Sequence, residues 1–382
     1  MKIKKLKRVW SFALAGIMAL TLGLFSTNLP TQAGTGDENN PANLKVIKTL
    51  QIAKEGITVP NVDFTFEFTP KGYNKDESPA AVAKVPGISP ITIEYRNGDA
   101  FDVDSNGDTI DSITKEADNV LSISNYTSAG LYTYTVKEVT GTQLSSGVLT
   151  YSQEEYTLYV KVANGENGLY FAEVKTQLTG ENTKEDNLEF TNKYTKKGNE
   201  DNQGEDSLII QKIVDSQFGD LDKQFTFDLT VQFPSTATNN TTYTAVKHDK
   251  DGNATTTEYN VVVGGNTSIS FTLANDETLV FEELPAGSYY TLTEAADSSY
   301  TPKYVVFANG VEKSANGSIG QALTASDMLV GEKVNSATYT NTLGDDVETG
   351  ILVNNLPYIL LIAAAILGLV AFVAVKRRRE VR

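Results

Sequence analysis

Two alternating stretches predict the fold: Leu44-Lys45-Val46-Ile47-Lys48-Thr49-Leu50 and, later in the chain, Leu208-Ile209-Ile210-Gln211-Lys212-Ile213-Val214. Every second residue of each stretch is apolar or a lysine, which is the period of a β-strand with one face in a core. Similar runs rich in Tyr, Phe, Thr and Val continue through residues 34–349, separated by turn-forming clusters and without convincing helical periodicity. The sequence therefore predicts an all-β protein built from β-sandwiches.

The two halves of this region repeat one another in the same order. After the opening strand, each half has an alternating Phe-rich strand, a glycine-led aromatic strand that ends in Glu, and a closing strand that ends in Asn. In the first half these are residues 63–68, 130–138 and 188–192, and in the second half 224–229, 287–294 and 337–341. The polar segment 196–206 is typical of a linker. We therefore expect domains at 42–195 and 207–343.

The N-terminal segment 1–33 is typical of a secretory signal peptide. It has a basic start, an apolar run over residues 10–25 and small residues before a cleavage site after Ala33. The alternative is an uncleaved anchor helix, which the compact basic start and the Thr31-Gln32-Ala33 string disfavour.

The C-terminal segment has the features of a membrane anchor. Residues 356–375 are apolar except for Tyr358, and a helix of this length spans a bilayer core. The basic run 376–379 follows directly and marks the cytoplasmic side. Residues between the two ends are therefore expected outside the cell.

Composition excludes several classes of function. Residues 34–349 hold 22 basic and 47 acidic side chains, which argues against a nucleic-acid partner. The chain has no cysteine and a single histidine, His248, so a thiol nucleophile is excluded and a histidine-based triad has one candidate. Because His248 lies in the turn-like string His248-Asp249-Lys250-Asp251-Gly252, a solvated turn residue is the better interpretation.

Each half places one Lys, one Glu and one Asn on a stripe that otherwise faces the core. The residues are Lys48, Glu138 and Asn192 in the first half and Lys212, Glu294 and Asn341 in the second. Apolar burial lowers the pKa of a lysine and raises that of a glutamate, so both become neutral. A neutral amine beside a carboxylic acid and a carboxamide can form a Lys–Asn isopeptide bond and release ammonia. The alternative is that these residues end their strands and extend to water, which the repeated order disfavours.

This ordered set of strings resembles the streptococcal T-antigen-type backbone pilins, which have pilin isopeptide-linkage domains. The matching strings are Val46-Ile47-Lys48-Thr49, Tyr132-x-Tyr134-x-Val136-x-Glu138, Glu189-Phe190-Thr191-Asn192, Ile210-Gln211-Lys212, Tyr290-x-Leu292-x-Glu294 and Thr340-Asn341. The resemblance implies tandem Ig-like (CnaB-like) domains whose first and last strands are joined covalently. It implies a Lys48–Asn192 bond with Glu138 as catalyst and a Lys212–Asn341 bond with Glu294.

The residues before the apolar tail resemble a sortase sorting signal, within a predicted sorting region of 345–382. Val347-Glu348-Thr349-Gly350 is similar to the Val-Pro-Thr-Gly variant of these pilins, with Glu348 in place of Pro. The resemblance implies that a sortase cuts between Thr349 and Gly350 and joins Thr349 to another pilin subunit or to peptidoglycan. This departure from the usual string leaves open which sortase acts.

The acceptor lysine of the family lies in a Thr-Lys string just before the last strand of the first domain. Here that string is Thr183-Lys184, so Lys184 is the predicted intersubunit lysine, with Lys196 and Lys197 as alternatives. An ordinary loop lysine is an equally weighted interpretation of Lys184.

One further motif, Asp102-x-Asp104-x-Asn106-Gly107-Asp108, matches the first half of a calcium loop. Its twelfth position is Ile113 rather than Glu, so we expect a polar turn and neither a metal nor a cofactor. The sequence thus predicts the structural backbone subunit of a sortase-assembled pilus on a Gram-positive cell surface, not an enzyme. A monomeric wall-anchored adhesin or minor pilin is the main alternative, and a plain single-pass membrane protein is a third.

Overall fold

The alternating pattern of the sequence appears as alternating burial in the strands of a computed structural model, which describes residues 34–141, 143–202 and 206–344. In the strand Phe225–Gln232, for example, every second side chain is buried. The predicted signal peptide 1–33 and sorting region 345–382 lie outside the described residues. Within the described ranges, no helix is long and apolar enough to cross a membrane.

The described part of the first domain contains nine strands and two short helical turns. The strands are β1 (Val46–Gln51), β2 (Val62–Tyr73), β3 (Ile91–Tyr95), β4 (Ser112–Ala117), β5 (Gly130–Glu138), β6 (Val148–Thr150), β7 (Glu155–Asn164), β8 (Leu169–Leu178) and β9 (Leu188–Thr195), and the helical turns are α1 (Pro79–Val82) and the 3-10 turn η1 (Ile123–Asn125). One sheet has the order β4-β1-β9-β6 and the other β3-β2-β5-β7-β8.

The second domain is also made of two sheets. Its strands are β10 (Leu208–Val214), β11 (Phe225–Gln232), β12 (Thr242–His248), β13 (Ala254–Val262), β14 (Ser268–Leu273), β15 (Thr278–Phe281), β16 (Ser288–Glu294), β17 (Tyr300–Ala308), β18 (Val311–Asn316), β19 (Leu323–Val330) and β20 (Ser336–Leu343). The sheet orders are β13-β12-β15-β10-β20-β17-β18 and β14-β11-β16-β19.

The cores of the two domains are apolar and rich in aromatic rings. In the first, Phe66 packs on Phe190 of the facing sheet with ring centroids 4.8 Å apart. In the second, the ring of Phe227 packs against those of Phe271 and Tyr339, with ring centroids 5.4 Å apart in both pairs. Such contacts between rings add specificity to the burial of apolar surface that holds two sheets together.

The first and last strands of each domain pair in parallel, whereas the other strand pairs whose register is described are antiparallel. β1 runs beside β9, and β10 runs beside β20. Because the rest of each domain lies between the two partners in sequence, this pairing closes the fold. The predicted all-β architecture of two β-sandwich domains is confirmed.

The chain divides into two compact units between Tyr194 and Thr195, apart from two short segments, Glu55–Thr58 and Ser145–Val148, that group with the second unit. Within the segment predicted as a linker, Glu200–Asn202 forms the 3-10 turn η2, and Lys196 is buried. The predicted domain limits of 42–195 and 207–343 stay a prediction.

We expect Leu158→Ala to lower the free energy of unfolding of the first domain by about 2–5 kcal/mol, because this β7 side chain is fully buried. The matched control, Val103→Ala, alters a side chain that is 55% exposed and should change stability by less than about 0.5 kcal/mol. Hydrogen exchange of first-domain peptides in increasing urea measures both. Equal effects of the two substitutions would contradict the described core.

Candidate functional site

The strand register brings each predicted lysine close to its asparagine. Lys48 on β1 lies opposite Phe190 on β9, and Asn192 lies two residues further along, opposite Leu50. In the second domain the offset is the same, with Lys212 opposite Tyr339 and Asn341 opposite Val214. Since residues two apart in a strand share a face, both side chains of each pair point into the core.

The glutamate of each site comes from the opposite sheet. Glu138 ends β5 and lies opposite Phe66 on β2, and Glu294 ends β16 and lies opposite Phe227 on β11. The structure thus brings all six predicted residues together in two groups of three. We call each group, Lys48-Glu138-Asn192 or Lys212-Glu294-Asn341, a triad.

In the first triad the carboxyl group bridges the other two side chains. Lys48 Nζ donates to Glu138 Oε2 at 3.0 Å, and Asn192 Nδ2 donates to Glu138 Oε1 at 2.6 Å. The main-chain N–H of Ser152 donates to Asn192 Oδ1 at 2.6 Å. The Lys48 side chain is 0% exposed and Asn192 is 1% exposed, so these contacts form in a core that excludes water.

The second triad has the same arrangement with a different set of contacts. Lys212 Nζ lies 3.1 Å from Glu294 Oε1, and Asn341 Nδ2 donates to the same oxygen at 2.8 Å. Within the described part of the chain, Glu294 Oε2 and Asn341 Oδ1 are buried without a hydrogen-bond partner. A buried oxygen without a donor is unfavourable, and protonation of Glu294 would remove the negative charge from this carboxyl group.

An aromatic ring faces each lysine, which sequence reasoning missed. Lys48 Nζ lies 4.6 Å from the ring centroid of Phe64, and Lys212 Nζ lies 4.3 Å from that of Phe225. The two rings occupy equivalent places in the repeated strings Phe64-Thr65-Phe66 and Phe225-Thr226-Phe227, so the repeat contained the signal. The hydroxyl group of Tyr95 also donates to the main-chain oxygen of Lys48 at 2.5 Å.

Burial shifts the pKa of the lysine and of the glutamate in each triad in the direction that favours the neutral form. It lowers the pKa of Lys48 and of Lys212 to about 8, although a carboxylate lies beside each amine. It raises the pKa of Glu138 and of Glu294, against the opposing effect of the lysine and of the asparagine hydrogen bond. The triads therefore supply a nucleophilic amine, a carboxyl group able to move protons and an electrophilic carboxamide.

The residues predicted for polymerisation lie apart from the triads. Lys184 is exposed, with its Nζ 3.9 Å from the ring centroid of Tyr159. Lys196 is buried and forms ion pairs of 2.8 Å with Asp201 and with Glu332. Lys197 is half-buried, and Thr349 and Gly350 lie outside the described residues.

The loop that matched half of a calcium motif uses its carboxylates internally. Asp104 Oδ1 accepts the N–H groups of Asn106 and Asp108, and Asp102 accepts hydrogen bonds from Ser112 and Thr114. The described ranges contain no group of three or more His, Asp or Glu residues placed to hold a metal ion. His248 ends β12, and its Nδ1 lies 3.2 Å from the oxygen of Gly252 in the following turn.

The fold and the two triads define a tandem β-sandwich protein with a buried Lys-Glu-Asn group in each domain. Residues 44–195 match the family described as the Spy0128-like isopeptide containing domain. Residues 206–349 match DUF7601, a domain of unknown function.

Comparison over most of the chain finds similarity to pilins. A pilin of Streptococcus pyogenes serotype M1 is 27% identical over 350 residues, which cover 88% of this chain and 92% of that pilin. The crystal structure of a major pilin from Streptococcus pyogenes is 24% identical and covers 79% of this chain and 99% of its own, with a TM-score of 0.36. The T-13 major pilin of that species is 20% identical, with coverage of 82% and 100% and a TM-score of 0.34. The chain is similar to a streptococcal pilin over most of its length, as its sequence strings predict.

We expect an Asn192→Ala variant, which keeps Lys48 and Glu138 but lacks the carboxamide, to become more stable as the pH rises from about 8 to about 10. The folded chain releases the Lys48 proton near pH 8 because the amine is buried, whereas the unfolded chain keeps it to higher pH. The unfolded state therefore binds more protons in this window, and stability rises by up to about 1.4 kcal/mol per pH unit. Urea unfolding of the first domain at several pH values measures this slope.

The control for this experiment is the double variant Asn192→Ala with Lys48→Met, in which the rise is absent. The same slope in the single and the double variant would show that Lys48 is not the titrating group.

Proposed function

We propose that each triad forms a covalent Lys–Asn isopeptide bond and that the chain is a backbone subunit of a sortase-assembled pilus. The observation that carries the proposal is the burial of an amine, a carboxyl group and a carboxamide, in contact and at the same register, in both domains. A single buried Lys–Glu pair is common as a structural ion pair. The asparagine at the same offset in both domains favours a reaction among the three side chains over a purely structural ion pair.

The reaction needs only the three side chains. The neutral Lys48 amine attacks Cγ of Asn192, and the electron pair of the carbonyl bond moves onto Oδ1. Glu138 accepts a proton from Nζ and delivers one to Nδ2, which leaves as ammonia when the carbonyl re-forms. One amine and one carboxamide thus become one secondary amide and one ammonia, and Glu138 ends as it began. Lys212, Glu294 and Asn341 follow the same steps.

The proposed bonds join the first strand of each domain to its last. On the chain-entropy treatment used for disulfides, closing a loop of more than a hundred residues stabilises a domain by about 5 kcal/mol. This chain has no cysteine, so these bonds would take the place of the disulfides that exported domains commonly use.

We expect the recombinant residues 34–349 to have a mass that is lower than the calculated mass by two ammonia molecules. Glu138→Ala should restore one ammonia, and Glu294→Ala should restore the other. The matched control Glu67→Ala, an exposed glutamate on β2, should restore none. Intact-mass spectrometry with sequencing of the joined tryptic peptides measures this, and the full calculated mass for the unaltered chain would refute both bonds.

For assembly we propose that Thr349 is joined to Lys184 of the next subunit, or to peptidoglycan at the base of the fibre, after a sortase cuts before Gly350. Support comes from the sorting string in the sequence and from the exposure of Lys184. Lys196 is a poorer acceptor because its amine is buried between two carboxylates. After removal of the predicted signal peptide, the predicted membrane tail would hold the precursor at the membrane before sorting.

In cells that make the protein, we expect Lys184→Arg to abolish the high-molecular-weight ladder in wall extracts, because Arg keeps the charge but is not an acyl acceptor. The matched control is Lys161→Arg, an exposed lysine that lines the same surface pocket as Lys184. Immunoblots of wall digests measure the ladder. A single band for the unaltered protein would favour the monomeric wall-anchored adhesin or minor pilin.

A further inference from the structure

The two triads differ at the oxygen on which negative charge develops during the proposed reaction. Asn192 Oδ1 accepts the main-chain N–H of Ser152 at 2.6 Å. Asn341 Oδ1 is equally buried but has no donor in the described part of the chain. Because a main-chain N–H only donates, the Ser152 contact also fixes which end of the Asn192 carboxamide is the oxygen. The leaving nitrogen is then held against Glu138.

The segment that follows β6 holds this N–H in place. β6 lies beside β9 in the sheet, so the chain passes Asn192 directly after the strand ends. Tyr151 is buried, with its ring centroid 6.0 Å from that of Phe64. Ser152 Oγ donates to Glu154 Oε2 at 2.9 Å and accepts the N–H of Glu154 at 3.2 Å. These contacts fix the backbone on both sides of the donor.

The second domain has a proline at the comparable position. β17 follows the glutamate strand and lies beside the last strand, as β6 does in the first domain. The β17 residue opposite Asn341 is Pro302. Proline has no N–H group, so the main chain cannot donate to Asn341 from this residue.

We propose that the main-chain N–H of Ser152 is an oxyanion donor for the first isopeptide bond and that the Lys48–Asn192 bond therefore forms faster than the Lys212–Asn341 bond. This inference rests on the proposed isopeptide chemistry. When Lys48 attacks Cγ, the carbonyl electron pair moves to Oδ1, and the Ser152 N–H already points at that atom. In the second domain, Asn341 Oδ1 has no such donor in the described part of the chain.

The size of the effect follows from catalysis in general. A donor placed at a developing oxyanion in a dry site is worth about a 100- to 1000-fold change in rate in enzymes. We therefore expect the first bond to form at least about 10-fold faster than the second.

The experiment is a pulse of cell-free synthesis of residues 34–349, followed by a chase that is stopped in denaturant at successive times. Joined and unjoined peptides of each domain are then counted by mass spectrometry. The first bond should be complete while the second is still forming. Equal rates, or a faster second bond, would overturn the inference, whereas no bond in either domain at any time would refute the proposed function itself.

Variants at the donor isolate the N–H group. Ser152→Pro removes it, and Ser152→Ala keeps it while removing the hydroxyl group. Ser152→Pro should slow the first bond by about 100-fold, and Ser152→Ala should leave the rate near that of the unaltered chain. The rate at which the second bond forms is an internal reference, because neither substitution should change it. Hydrogen exchange of β1 and β9 peptides verifies that the proline variant folds, and a folded proline variant with an unchanged rate would overturn the inference.

Discussion

The functional organisation of both domains depends on a carboxyl group held between an amine and a carboxamide inside a dry core. A buried charge without a partner would be costly, so Lys48 and Glu138 are stable there only as a pair. Bringing them together requires the two sheets to face each other, and bringing Asn192 to the same carboxyl requires β1 and β9 to pair in parallel at one register. The second domain meets the same requirement with the same two-residue offset.

Much of this was predictable because the period of a β-strand assigns each side chain to a face. Lys48, Glu138 and Asn192 could be placed on core-facing stripes from spacing alone, and the repeated order predicted that they meet. The Ser152 contact was not predictable, since it is made by a main-chain atom whose position depends on how β6 ends. The hydrogen bond of Tyr95 was not predictable for a similar reason. Its hydroxyl group reaches the main chain of Lys48 only through the packing of the two sheets.

The proposed links would place the two domains under tension in different ways. If a neighbouring subunit is attached at Lys184, the shortest covalent path through the first domain follows β9 itself. The Lys48–Asn192 bond then holds β9 in its sheet rather than lying on that path. In the second domain the path enters through β10 and leaves through β20, so the Lys212–Asn341 bond carries the load directly. The pulling force then does not pass through the residues between 212 and 341.

The parallel pairs β1–β9 and β10–β20 also affect how the chain would resist proteolysis. With both bonds formed, residues 48–192 and 212–341 become two covalent rings connected by a short segment. A single cut in any loop of a ring opens the ring but leaves a second covalent route around it. With these bonds, a cut in an exposed loop such as the one around Val103 would not break the proposed fibre. Between Lys184 and Thr349, a single cut severs the chain only between the rings or beyond Asn341.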